Sequence, residues 1–106
     1  HYAATLKKNR DMMCAFFDAL QERGIIQYER PRAGFYLFFR TDQPNSFDVV
    51  MDVLQQANVA MTPGTDFGPS ATPFIRVCFA RNPEVLEESI TRLSKYFAKK
   101  YPEKFY

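Results

Sequence analysis

Residues 62–81 read TPGTDFGPSATPFIRVCFAR, and the fold turns on how they are parsed. Pro63-Gly64 and Gly68-Pro69 punctuate the first half, and neither dipeptide suits a helix, so this half reads as a turn-rich loop. The second half predicts a strand from about Pro73 to Ala80. Side chains alternate across a strand. Ile75, Val77 and Phe79 therefore share one face, and Phe74, Arg76 and Cys78 share the other. Arg76 is thus a permanent cation in an apolar run. Two readings stand side by side: an arginine on the wet face of a half-buried sheet, or an arginine holding an anion on a covered face, where an unpaired charge is very costly.

Working outward, the strongest helix start follows directly. Asn82 is a good N-cap, Pro83 suits the first helical position and Glu84 complements the helix dipole. Leu86, Ile90, Leu93 and Phe97 recur as an amphipathic stripe. Lys99 and Lys100 close the helix as a solvated end, and Pro102 stops it. Upstream, Val59–Met61 predicts a short strand. A helix is expected from Asn45 or Ser46 to Ala57, with Phe47, Val50, Met51 and Leu54 inward and Asn58 as a left-handed terminator. Asp42 and Asp66 sit in turns as ordinary turn-formers.

Residues 35–40, FYLFFR, predict a strand that is apolar on both sides. Phe35, Leu37 and Phe39 point one way, Tyr36 and Phe38 the other. A strand of this kind is normally covered on both faces. One helical layer covers only one, so a second body is expected on the face of Tyr36, Phe38 and Arg76. Residues 25–30 form a further short strand candidate ended by Pro31. Residues 5–23 predict a helix with Leu6, Met13, Phe16, Phe17 and Leu20 inward. Lys7, Lys8, Asn9, Arg10, Gln21 and Glu22 mark its wet side, and Gly24 is its C-terminal cap.

The order helix, two strands, helix, two strands, helix predicts an α+β two-layer sandwich, with helices on one face of a small mixed or antiparallel sheet. A chain of 106 residues is expected to form a single domain, 1–106. Eleven phenylalanines and six tyrosines are a heavy aromatic load, suited to a dense core or to a surface that something else covers. A net charge of +2 is too weak to argue for nucleic acid or membrane lipid. No apolar run approaches the ~20 residues of a membrane helix. Two cysteines, Cys14 and Cys78, read as reduced, structural thiols of an intracellular protein. His1 is the only histidine, so histidine-based triads and metal sites find no support. A chain that opens at His1 and runs at once into a helical pattern reads as a piece of something longer.

Four stretches resemble the C-terminal small domain of the class I/II pyridoxal-phosphate aminotransferases, the aspartate aminotransferase-like group. NRDMMCAFFDALQERGI (residues 9–25) is similar to the family's domain-linking helix. PRAGFYLFFR (31–40) resembles its Pro-x-Gly-Ala-Phe-Tyr strand entry, with Ala33-Gly34 in place of the commoner Gly-Ala. VAMTPGTDFG (59–68) resembles its Pro-Gly-x-x-Phe-Gly stretch, and FIRVCFA (74–80) its arginine-centred strand.

The resemblance implies that Arg76 binds the α-carboxylate of an amino-acid or 2-oxo-acid substrate, with Gly34, Phe67 and Gly68 lining the pocket. It implies a cytoplasmic, homodimeric enzyme using pyridoxal 5'-phosphate. The catalytic lysine and the cofactor-phosphate site would lie in a large domain, which is also the second body expected on the aromatic face. This chain would then hold no catalytic, cofactor-binding or metal-binding residue and would be inactive alone. Apart from the resemblance, a stand-alone α+β module that binds a small carboxylate, or that docks a protein partner, fits the same residues.

Overall fold

The structure is a computed structural model that describes residues 2–31 and 34–105. Three helices, α1 (Tyr2–Glu22), α2 (Ser46–Ala57) and α3 (Pro83–Lys100), alternate with four strands, β1 (Gln27–Tyr28), β2 (Tyr36–Arg40), β3 (Thr62–Pro63) and β4 (Phe74–Cys78). All strand pairs are antiparallel, in the order β1-β2-β4-β3. This settles the sheet as antiparallel and open. The helices cover one face of it, in the expected α+β arrangement.

The core follows the strand alternation. Leu37 and Phe39 of β2 and Ile75 and Val77 of β4 face the helices and are buried. Phe17 of α1, Leu86, Leu93 and Phe97 of α3 and Val53 of α2 pack onto them. The Phe17 and Phe39 ring centroids lie 4.8 Å apart, an offset approach that aromatic pairs favour. Helix ends fall where the caps predict. Gly24 takes φ +75 after α1, and Ile25 N donates to Leu20 O at 3.0 Å. Asn45 caps α2 and Asn58 ends it at φ 56. Asn82 Oδ1 accepts from Glu84 N at 2.8 Å.

Several expectations are corrected. The helix predicted from Thr5 begins by Tyr2, and what precedes Tyr2 lies outside the described residues. β1 spans two residues rather than 25–30, because only Gln27 and Tyr28 find partners, in Arg40 and Phe39. Phe35 stands ahead of β2 and is exposed rather than inward. The strand expected at Val59–Met61 forms at Thr62–Pro63 instead, where Thr62 pairs with Arg76 and Pro63 with Ile75. Pro63 is tolerated because β3 is an edge strand. The punctuated loop is not structureless: residues Gly64–Phe67 and Pro69–Ala71 form two 3-10 turns. A proline at the first helical position loses no hydrogen bond the turn needs.

Two corrections concern facing. Helix α2 buries Ser46, Val49, Val50 and Val53 and leaves Phe47, Met51 and Leu54 exposed. Ser46 sets this rotation. Its Oγ accepts from Gly64 N at 3.1 Å, and its own N–H donates to Thr72 O at 3.1 Å. Asn9, read as wet, is 1% exposed. Its Nδ2 donates to Phe79 O at 3.0 Å and Arg81 O at 2.6 Å, tying α1 to the connection between β4 and α3.

Candidate functional site

The sheet face turned away from the helices carries Gln27, Tyr36, Phe38, Arg40, Thr62, Phe74, Arg76 and Cys78. The register sets Phe38 and Thr62 on either side of Arg76, Phe74 opposite Arg40, and Cys78 opposite Tyr36. Tyr36, Phe38 and Phe74 are 40, 49 and 37% exposed. An aromatic sheet face of this kind left open is unusual for a small domain. It matches the sequence reading that one helical layer leaves β2 half covered.

Arg76 sits in the middle of this face, half-buried. Its Cζ lies 4.2 Å from the Tyr36 ring centroid and 5.0 Å from that of Phe67. Phe67 projects from the 3-10 turn Gly64–Phe67 and meets Phe38 edge-on at 6.4 Å. The guanidinium is therefore held by ring contacts. Each is worth about 0.5–1 kcal/mol at an exposed site, yet none satisfies its planar fork of N–H donors. Among the described residues Arg76 enters no ion pair, and the four strands contain no carboxylate. Arg40, resting 5.7 Å from the Phe74 ring centroid, is likewise in no ion pair among the described residues.

Beside Arg76 lies a cavity of about 300 Å³, lined by Tyr36, Met61, Thr62, Cys78 and Arg81 among others. Of the residues singled out from sequence, the structure brings Phe67 onto Arg76. Gly68, at φ +118, follows Phe67 and lines no part of this cavity. Gly34, at φ +87, stands in the connection ahead of β2 and does not line it either. The glycine that shapes the loop is Gly64. A Cβ there would lie 1.8 Å from Ala71 O and 2.6 Å from Phe74 O, so the two 3-10 turns and β4 close over it only because it has no side chain.

Tyr36, Thr62 and Arg81 escaped the sequence reading as site residues. Alternation in FYLFFR puts Tyr36 on the Phe38 face, but only the register brings it to Arg76. Cys78 is half-buried on this open face, whereas Cys14 is fully buried in the core. Burial pushes the Cys14 thiol above its ordinary value, as expected of an inert thiol.

The described residues hold no group of three or more metal-ligating side chains. No helix among them is long and apolar enough to cross a membrane. The six lysines lie on α1, on α3 and in the turn Pro102–Lys104. None is on the sheet face with Arg76.

Comparison with known proteins gives the chain its family. The family model described as aminotransferase class I and II matches residues 1–93. The chain is 36% identical to the LL-diaminopimelate aminotransferase of Oleidesulfovibrio alaskensis over 83% of its length, and spans 22% of that protein. Among solved structures, an alanine aminotransferase from Pyrococcus furiosus superposes with a TM-score of 0.80 at 30% identity, covering 92% of this chain and 25% of that one. An aromatic aminotransferase from Pyrococcus horikoshii does so with a TM-score of 0.78 at 25% identity, again covering 92% of this chain and 25% of that one. A three-helix, four-strand unit that follows these enzymes over nearly its whole length, with the family model running from its first residue into α3, belongs to the class I and II aminotransferase family.

Proposed function

We propose that this chain is the substrate-carboxylate-binding small domain of a pyridoxal-phosphate-dependent aminotransferase, which moves an amino group between an amino acid and a 2-oxo acid. One observation carries the reading: Arg76, in no ion pair among the described residues, presents its guanidinium on an open aromatic sheet face whose four strands carry no carboxylate. A guanidinium and a carboxylate match through two parallel, charge-assisted hydrogen bonds. Tyr36 and Phe67 hold Arg76 in place beforehand, so little side-chain freedom is lost when the acid arrives.

The large domain of the enzyme is the body that would cover Tyr36, Phe38, Phe74 and Phe67. Covering the face removes water from Arg76. An uncompensated buried charge costs about 3–5 kcal/mol, so closure without a carboxylate is penalised and closure with one is favoured. Arg76 thus links substrate binding to domain closure, and the substrate it fixes is oriented for reaction at its α-carbon. Pyridoxal phosphate, held by residues outside this chain, supplies the electron sink for that chemistry. The 106-residue chain alone is inactive on this reading, and the enzyme works as a homodimer in the cytoplasm.

The test is a spectral titration of the full-length protein. Cofactor absorbance is followed while amino acid is added to wild type and to Arg76→Lys. A lysine keeps the charge but loses the planar fork. The expected result is at least a tenfold loss of amino-acid affinity, with cofactor binding retained. Unchanged affinity would remove Arg76 from the substrate site.

A further inference from the structure

The helical layer carries a cavity of its own. The end of α2 and one side of α3 border about 390 Å³, lined by Gln55, Gln56, Arg92, Lys95, Tyr96 and Lys99 among others, with no residue of the sheet. That volume lies within the range of small-ligand sites. Positions 92, 95, 96 and 99 follow i, i+3, i+4, i+7 spacing, so one side of α3 presents all four side chains. Three of the lining residues are cations and none is an acid.

The protein does not use up these charges. Arg92 is half-buried and held in place: its Nε donates to Glu88 Oε1 at 2.9 Å and its Nη1 to Asn58 O at 3.3 Å. Those bonds leave Nη2 to a ligand. Among the described residues Lys95 and Lys99 enter no ion pair. Asp52 lines the adjoining cavity, where it accepts from Tyr96 and pairs with Lys100 at 3.6 Å. Helix C-termini attract cations by themselves, which accounts for Arg92 at Asn58 and for Lys99 in the last turn of α3. The negative end of α2 is already met by Arg92 and by the Asn58 N–H, which closes onto Leu54 O at 3.0 Å. Lys95 is surplus to both ends.

Like charges lining one concavity focus a positive potential there. A lone carboxylate would bring one negative charge to three cations. A phosphate group brings nearly two, with three strong acceptor oxygens. It suits a lysine as a point charge and an arginine as a planar donor. We infer that this groove between α2 and α3 binds a small phosphate-bearing molecule, at a site separate from the Arg76 cavity. Lys95 and Lys99 supply charge, Arg92 supplies a directed donor, and the Gln55 and Gln56 amides flank it.

The experiment is a calorimetric titration of the full-length protein with inorganic pyrophosphate at low salt. The protein is first loaded with pyridoxal phosphate, so that the cofactor's own phosphate site is filled. Wild type should bind pyrophosphate saturably, and equimolar acetate should not compete. The double variant Lys95→Gln, Lys99→Gln loses two exposed charge pairs, each worth up to about fivefold, and should bind about tenfold more weakly. Both lysines are exposed and glutamine is a good helix former, so the fold is kept. Lys8→Gln with Lys104→Gln removes the same charge elsewhere and should leave the affinity unchanged, as should Arg76→Lys. No saturable binding in wild type, competition by acetate, or an affinity that survives loss of Lys95 and Lys99 overturns the site. An equal loss in the Lys8 and Lys104 variant overturns it as a general charge effect, and a loss in Arg76→Lys alone overturns it by placing the anion in the sheet-face cavity.

Discussion

Gly64 and Gly34 separate two reasons for a glycine. At Gly64 a side chain has no room, since its Cβ would fall 1.8 Å from a backbone carbonyl oxygen of Ala71. At Gly34 there is room, with nothing within 4 Å, but φ is +87, where a Cβ strains the backbone. Gly64→Ala should therefore cost about 3 kcal/mol or more, because backbone and not a flexible side chain must move. Gly34→Ala should cost about 1–2 kcal/mol. Urea unfolding of the two variants checks the ranking, and equal losses would contradict it. Asn9 follows the same residue-scale logic. A polar side chain on a helix reads as wet until the carbonyls that need it are known, and these lie 70 and 72 residues away in sequence. The position of Arg76 on the outer face, in contrast, was legible from strand alternation, while alternation left open whether it meets water or an anion.

Helix α2 shows where periodicity runs out. Phe47, Val50, Met51 and Leu54 make one acceptable stripe, and Ser46, Val49, Val50 and Val53 make another about one residue around the helix. Both satisfy a 3.6-residue period. The hydrogen bonds of Ser46 to Gly64 and Thr72 decide between them, and these are contacts no local pattern encodes. Val53→Ala should thus cost about 2 kcal/mol, whereas Met51→Ala should stay within about 0.5 kcal/mol. Thermal melts of the two variants read this directly, and the reverse order would mean the helix is turned the other way.

Helix α3 is joined to its surroundings by tyrosines. Tyr96 donates to Asp52 of α2, and Tyr101 donates to Asp42 at 2.9 Å. Burial first, and then the hydrogen-bonded carboxylate, push Tyr101 up to about 12 and raise Tyr96 further. Burial and Asp18 act in the same way on Tyr28, which β1 sets against α1. In the unfolded chain these groups ionise near their ordinary value of 10.0. Above that value the unfolded state binds fewer protons than the folded one, so stability falls as pH rises, and below it there is no effect. Urea midpoints should be level up to about pH 9 and drop by about pH 11, with the ring resonances of Tyr28, Tyr96 and Tyr101 reporting ionisation only together with unfolding. Ionisation of those three rings while the fold persists would show that their hydroxyls are not held.

At the scale of the whole molecule, the layer order was legible because caps and breakers mark it: Gly24, Asn58, and Asn82 with Pro83. The exact strands were not, since β1 and β3 are two residues each and exist only where β2 and β4 offer partners. The same pairing assembles the candidate site. Arg76 is visible in the sequence, but Tyr36, Thr62 and Arg81 join it through register and the path of the chain after β4. The aromatic outer face, acid-free among the described residues, is on the proposed reading the surface that the rest of an aminotransferase would cover.

The most direct measurement is a crystal structure of the full-length protein with a 2-oxo acid bound. The account predicts both carboxylate oxygens within about 2.7–2.9 Å of Arg76 guanidinium nitrogens, on a sheet face closed over by the large domain. An acid seated on another cation, with Arg76 paired to a protein carboxylate, would contradict it.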